Sequence, residues 1–379
     1  MFFNNFIFYK NFLMIILAFE TSCDDTSIAI FEDDKLLAMD TKSQIKIHNQ
    51  TGGVVPEVAA REHANSIFDV LEKVLQKSKI NLEKIDYIAV TVAPGLLPSL
   101  MTGTTVASSI SQVLNIPIIP INHIEAHIFS NFLERDEKEI KFPLACLTVS
   151  GGHNEIYIMQ NMWDFKKVGM TNDDAGGEAF DKAAKMMGLG YPGGPIISEL
   201  AKKWSEKNDL EKNDNGLFPR VWLVKREHNF SFSGLKSAVK REVDLRIDRN
   251  KNILNSKLIE EKYFQELKEK QEKGEILLTE DDKMEMSFEF ENAITEVLSW
   301  KLVDSARQNG LKTVMLAGGV SANSKLREEI QNLATKNKLN FIYPKKNIYC
   351  MDNAAMIGIL AYYKIKYKNF EHKIGALQI

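Results

Sequence analysis

Two stretches of this chain share one plan, and that plan narrows the fold more than any other feature. IILAFETSCDDTSIAIF, residues 15–31, is an apolar strand, a polar turn and a second apolar strand. LACLTVSGGHNEIYIM, residues 144–159, repeats the arrangement far along the chain. Each predicts a hairpin whose tip carries hydroxyl, carboxylate or glycine residues. The pair predicts an internal duplication: two lobes, each opened by a hairpin, facing a cleft.

The rest of the pattern agrees. Strand signals fall at 15–19, 27–31, 86–92, 117–121, 144–149, 155–159, 313–317 and 341–343. Helix signals fall at 57–77, 99–114, 174–187, 195–204, 287–309 and 323–336. NIPIIPINHIEAH reads as a short strand followed by a helix start. Such alternation predicts an α/β protein. Residues 241–286 differ: they are densely charged, with Lys and Glu interspersed. They predict an exposed helical excursion with too little apolar surface to join either core.

At the N-terminus, Asn4, Asn5, Lys10 and Asn11 interrupt the apolar residues, and no small-residue cleavage site follows. Residues 1–13 are therefore expected to be a dispensable extension rather than a signal peptide or a membrane span. They also make a poor transit peptide, so a cytoplasmic location is expected. A net charge of −3 excludes a strong general attraction to nucleic acid or anionic membrane. Cys23, Cys146 and Cys350 form no close pair in sequence, which points to a reducing compartment.

Three Gly-Gly elements stand beside strands or helix starts. MLAGGVSANSKLREEI, 315–330, ends an apolar run in Gly318-Gly319 and places Asn323 near a helix start. Glycines there let a ligand approach the backbone, or make a tight turn with Asn323 as a cap. TVSGGH, 148–153, presents consecutive amides to an anion, or closes a plain hairpin. YPGGP, 191–195, is the third. GxxxxGK[ST] and GxGxxG are absent, so neither a Walker loop nor a Rossmann fingerprint is present.

INHIEAHIF spaces His123 and His127 four apart, which puts both imidazoles on one helix face. A metal would need a further ligand. Asp352, in CMDNAAMIGIL, offers one, or else caps the following helix. A zinc protease needs HExxH. Here Glu125 follows His123 by two positions, about 200° around the axis, so that reading fails. GxSxG is absent too, and a serine hydrolase is not supported.

ETSCDDTSIAI, GGVVPEVAAREH, APGLLPSLMTGTTVA, HIEAH, VSGGHNEI, DDAGGEAFDKAAKMMGLGYPGGP, FSFSGLK, AGGVSAN and DNAAMIG occur in this order. Together they resemble the tRNA N6-adenosine threonylcarbamoyltransferase family in its bacterial or organellar form, from about Ile15 to Ile359. The resemblance implies the duplicated two-lobe fold of actin, Hsp70 and sugar kinases around a nucleotide cleft. It places the first lobe at 14–137 plus 345–379 and the second at 138–344, which includes the excursion. It implies transfer of threonylcarbamoyl from threonylcarbamoyl-AMP to N6 of the adenosine 3′ to the anticodon, in tRNAs reading codons that start with A. The implied metal ligands are His123, His127 and Asp352, holding iron or zinc. The implied donor-binding residues are Thr148, Val149, Ser150, Gly151, Gly152, Asp181, Gly194, Ser198 and Asn323. Asp24 and Asp25, at the first hairpin tip, are candidates for proton handling, or only organise that turn.

The chain departs from the family pattern at Asp25, where Glu is usual, and at Ala126, Gly176 and Asn229, where Gly, Ala and Asp are common. Bacterial relatives of this type work with a smaller, catalytically inactive paralogue and a P-loop ATPase, and organellar ones act as homodimers. The basic run VKREHNFSFSGLKSAVKR, 224–241, is a candidate for tRNA phosphates, with Phe230 and Phe232 expected in the core. The competing class is a non-catalytic or ATP-hydrolysing protein of the same fold. The two histidines with Asp352 favour the transferase.

Overall fold

The structure, a computed structural model, describes residues 13–209, 216–222, 228–256 and 261–367. The expected extension lies outside the described residues except for Leu13, as do residues 224–227 of the basic run and the end of the expected first lobe.

In chain order the elements are β1 Ile15–Glu20, β2 Asp25–Glu32, β3 Lys35–Ser43, α1 Ile45–Thr51, α2 Pro56–Ser78, β4 Tyr87–Ala93, α3 Leu97–Leu114, β5 Ile118–Asn122 and α4 His123–Phe129. Then come β6 Leu144–Val149, β7 Asn154–Asn161, β8 Asp164–Met170, α5 Gly176–Met186, α6 Gly193–Asn208, α7 Ser233–Ser256 and α8 Glu261–Glu272. The chain continues through α9 Glu280–Gln308, β9 Thr313–Ala317, α10 Ser324–Lys336, β10 Asn340–Ile342 and α11 Ala354–Lys366.

The described residues form two compact units. Residues 13–44, 56–134 and 352–367 make the first, and residues 45–55 and 135–351 belong to the second. The boundaries differ from those expected, for local reasons. Asn49 Oδ1 accepts from Tyr191 N–H at 3.2 Å, Arg135 Nη2 donates to Tyr343 O at 3.0 Å, and Arg327 Nη2 lies 3.2 Å from Cys350 Sγ. These bonds hold 45–55, 135 and 350 to the second unit.

Each unit has one five-stranded sheet, ordered β3-β2-β1-β4-β5 and β8-β7-β6-β9-β10. The first three strands are antiparallel and the last two run parallel to the first, in both. Order and direction therefore repeat between the units. That is the duplication the two hairpins predict, and it is the actin-like α/β plan. β1 and β6 are buried along their whole length, at the centre of their sheets. In the first unit Leu17, Phe19, Ile28 and Ile30 pack with Ile67, Val70 and Val74 of α2.

The excursion is not solvated throughout. Val243, Leu278 and Met286 join the core of the second unit, and Leu267 is fully buried. Its charges pair with one another. Asp282 accepts from Arg246 Nη1 at 3.0 Å, Arg249 Nη2 at 2.5 Å and Asn250 Nδ2 at 2.9 Å. Thr279 and Asp282 form the capping box that starts α9. Composition concealed this because the apolar residues are few and widely spaced, while the polar ones satisfy each other. Phe230 and Phe232 are core side chains, as expected.

Candidate active site

The metal candidates converge within the first unit. Asn122 ends β5 and caps α4, accepting from Ile124 N–H at 2.9 Å and Glu125 N–H at 3.1 Å. The short helix carries His123 and His127 inward, with ring centroids 4.6 Å apart. Asp352 Oδ1 lies 3.5 Å from His123 Nε2 and 3.1 Å from His127 Nε2. One ligand atom from each of the three falls within 4.8 Å of the others. The cap of α11 is Asn353, whose Oδ1 accepts from Met356 N–H at 3.1 Å. That leaves Asp352 outside the capping role and turned to the imidazoles. Glu125 faces away and pairs with Lys364 at 3.1 Å.

The surroundings suit a cation. His127 is fully buried, and neither ring nitrogen makes an aligned hydrogen bond, Asp352 at 3.1 Å included. Burial and the neighbouring His123 hold its pKa below the usual value, so the ring stays neutral, the form that ligates metals. Burial pulls His123 down as well, but the carboxylates of Glu20 and Asp352 push it up to about 9. The cluster thus calls for positive charge, which His₂-carboxylate donors take readily from a divalent ion.

Asp24 and Asp25 sit at the β1–β2 turn. Cys23 O accepts from the buried His63 Nε2 at 2.9 Å, and Asp24 O accepts from Gln44 N–H at 3.0 Å. Asp25 Oδ1 is buried without a hydrogen-bond partner. Burial, with the charges of Asp24, Asp352 and Glu20, lifts this carboxyl to about 7 against the Ser43 hydrogen bond. A carboxyl poised there can take up and release protons at neutral pH.

The expected donor-binding residues lie in the second unit, at the C-terminal end of β6 and the turn after it, in the middle of α5 (Asp181), in the first turns of α6 (Gly194, Ser198) and at the N-cap of α10 (Asn323). Gly318 has φ +88°, and a Cβ on it would lie 2.4 Å from Val149 O. What comes close to this glycine is therefore the neighbouring strand's own backbone. Gly319 faces open space. YPGGP divides the labour in the same way: Gly193 is pressed against Phe180 O, while Gly194 is open. Gly151 and Gly152 are both open.

Several of the other candidates are engaged with protein. Val149 is a core side chain, so only its backbone is available to a ligand. Thr148 Oγ1 donates to Glu155 O at 3.3 Å. Ser150 closes the turn, donating its N–H to His153 O at 2.8 Å and accepting at Oγ from His153 N–H at 3.2 Å. Asp181 Oδ1 accepts from Gly193 N–H at 2.7 Å and fixes the start of α6. Asn323 does cap α10, accepting from Leu326 N–H at 2.7 Å. Its amide also donates to Ser198 Oγ at 3.0 Å and Glu291 Oε1 at 2.7 Å. Ser198 Oγ donates to the same Glu291 oxygen at 2.6 Å. The cap of α10 and the Ser198–Glu291 hydrogen-bond network thus meet at Asn323.

Sequence reasoning missed Glu20, His63 and Glu291, all buried. The available signal was a carboxylate set among apolar residues, as Glu20 is in ILAFE and Glu291 in FEFENAI.

The comparisons with known proteins bear on the family and the fold. The family model described as TsaD, tRNA N6-adenosine threonylcarbamoyltransferase, matches residues 35–359. The protein of that name from Persephonella marina is 40% identical over 357 residues, covering 93% of this chain and 91% of its own. That from Fusobacterium nucleatum is 41% identical over 354 residues, covering 93% and 92%. Among solved structures, full-length HypF in the phosphate- and nucleotide-bound form is similar in fold, with a TM-score of 0.51 at 12% identity, over 94% of this chain and 47% of its own. With the repeated sheet plan and the family match in agreement, the chain belongs to the tRNA N6-adenosine threonylcarbamoyltransferase family.

Proposed function

We propose that this tRNA-modifying enzyme takes threonylcarbamoyl-AMP as donor and N6 of the adenosine 3′ to the anticodon as acceptor, in tRNAs reading codons that start with A. The observation that carries this reading is the convergence of His123, His127 and Asp352 beside the poised carboxyl of Asp25.

The donor is a mixed carbamic–phosphoric anhydride. The adenosine N6 lone pair attacks the carbamoyl carbon, forming a C–N bond. The C–O bond to phosphate breaks, and AMP leaves with its electron pair. N6 must lose one proton, and its lone pair is delocalised into the ring, so a base matters. Asp25 is the base in this reading. Asp24 shapes the turn through its carbonyl. In the second unit, the open faces of Gly151, Gly152, Gly194 and Gly319 admit the nucleotide to the backbone. Asp181, Ser198 and Asn323 orient ribose and base through hydrogen bonds. A divalent metal held by His123, His127 and Asp352, iron or zinc, would supply Lewis-acid stabilisation of developing negative charge.

A smaller paralogue without the metal site and a P-loop ATPase are the proposed partners, or else a second copy of the chain. The net charge of −3 supports a partner that shares the RNA surface. Among the described residues no helix is long and apolar enough to cross a membrane. The bacterial relatives support a cytoplasmic place.

Elemental analysis of purified variants tests the metal reading. His123→Ala, His127→Ala and Asp352→Ala should each lose bound metal while staying folded, and Glu125→Ala should keep it. Stoichiometric metal in all three ligand variants would contradict the reading.

A further inference from the structure

Glu20 ends β1 with a carboxylate that is fully buried. An unpaired charge in such a place costs several kcal/mol, so its partners are informative. Oε1 accepts from Ser22 N–H at 2.6 Å, and Oε2 accepts from Thr91 Oγ1 at 2.5 Å. The third partner is His123 Nδ1, 3.2 Å from Oε2. Ser22 Oγ lies 3.1 Å from the same nitrogen. An ionised carboxylate can only accept, so Nδ1 must carry the proton. The lone pair of the neutral ring is then on Nε2, the nitrogen 3.5 Å from Asp352 Oδ1.

We propose that Glu20 is a positioning residue for the metal centre. It holds the Nδ1 proton of His123, presents Nε2 as the ligand, and with Asp352 balances the charge of a divalent ion. This rests on the metal reading above and deepens it. With an ion bound both imidazoles are neutral ligands, and the carboxylates of Glu20 and Asp352 are the groups that offset its two positive charges. Ser22 and Thr91 bind the carboxylate from its other sides, so it is fixed before any ion arrives. A carboxylate that orients a ligating histidine also raises its basicity. Loss of such a partner weakens metal binding by about 10- to 100-fold.

The test is Zn²⁺ affinity of the metal-stripped full chain, by competition with a chromophoric chelator, for the parent, Glu20→Gln and His127→Ala. Far-UV circular dichroism before each titration establishes that the variant is folded. Glu20→Gln should bind Zn²⁺ about 10- to 100-fold more weakly, and His127→Ala more weakly still. The absorption bands of bound Co²⁺ should shift in Glu20→Gln, which a general loss of stability would not produce. If His127→Ala loses affinity while Glu20→Gln matches the parent, the role of Glu20 is overturned and the metal reading stands. If His127→Ala matches the parent, the metal reading itself fails. Should Glu20→Gln not fold, Glu20→Asp decides by the same criterion, because it keeps the charge but withdraws the acceptor from Nδ1.

Discussion

Asp25 shows how burial changes what a carboxyl can do. Its side chain starts β2 and is lifted to about 7 by burial and by Asp24, Asp352 and Glu20. As a base it must be ionised, so transfer should fall as pH drops below about 7. Asp25→Asn should lower single-turnover transfer by about 10²- to 10⁴-fold; an unchanged rate would exclude it as the base. The same shift has the opposite sign for stability. The folded carboxyl binds its proton more tightly than the unfolded one, so its contribution is fully present below pH 3.8 and is lost as pH rises through about 7. Metal-free Asp25→Asn should therefore melt higher than the parent at pH 9 and no higher at pH 3.5. Spacing alone brought His123 and His127 into view, because a helix turns four residues onto one face. Glu20 stayed hidden because its partners Thr91 and His123 are far away in sequence.

At the scale of elements, Gly318 and Gly319 are the sharpest contrast. Gly318→Ala forces a left-handed backbone and a clash with Val149 O, and should cost about 2 to 4 kcal/mol of stability. Gly319→Ala meets open space and should change stability by about 0.5 kcal/mol or less, while weakening AMP binding. Thermal melts and a nucleotide titration of the two variants check this; equal stability would refute the packing argument. The excursion makes a second claim. Asp282→Ala leaves Arg246 its Glu242 and Glu285 partners but removes an acceptor of the buried Asn250 amide and of Thr279 N–H, and should cost about 1 to 3 kcal/mol. Burial raises the Asp282 carboxyl, but Asn250, Thr279 N–H and the two arginines hold it below its ordinary value. Its stabilisation is thus present above the ordinary carboxylate range and lost on acidification, so Asp282→Asn should flatten the acid limb of the melting curve. Buried strands such as β1, β6 and β9 were legible as apolar runs. β3 and β8 were not, because sheet-edge strands such as KLLAMDTKS and DFKKVGM mix charges into the alternation. α7 and α8 were read only as a charged stretch, since their buried contacts are sparse and partly polar.

Across the whole molecule, one sheet plan has been given two chemistries. The hairpin of the first unit ends in TSCDDT, near residues that suit a cation. The equivalent hairpin of the second ends in SGGHN, near open backbone that suits a nucleotide. The duplication could be read from the sequence because both central hairpins keep the same apolar-turn-apolar rhythm. The specialisation could not, since it depends on Glu20, Glu291 and His63, which act only through distant partners. The most direct measurement supplies purified, metal-loaded chain with threonylcarbamoyl-AMP and unmodified tRNA, with and without the partner proteins, and analyses the tRNA nucleosides by mass spectrometry. The account predicts threonylcarbamoyl on N6 of the adenosine 3′ to the anticodon, with the product lost in His127→Ala. Unmodified adenosine at that position under every condition, from chain that holds both metal and donor, would contradict it.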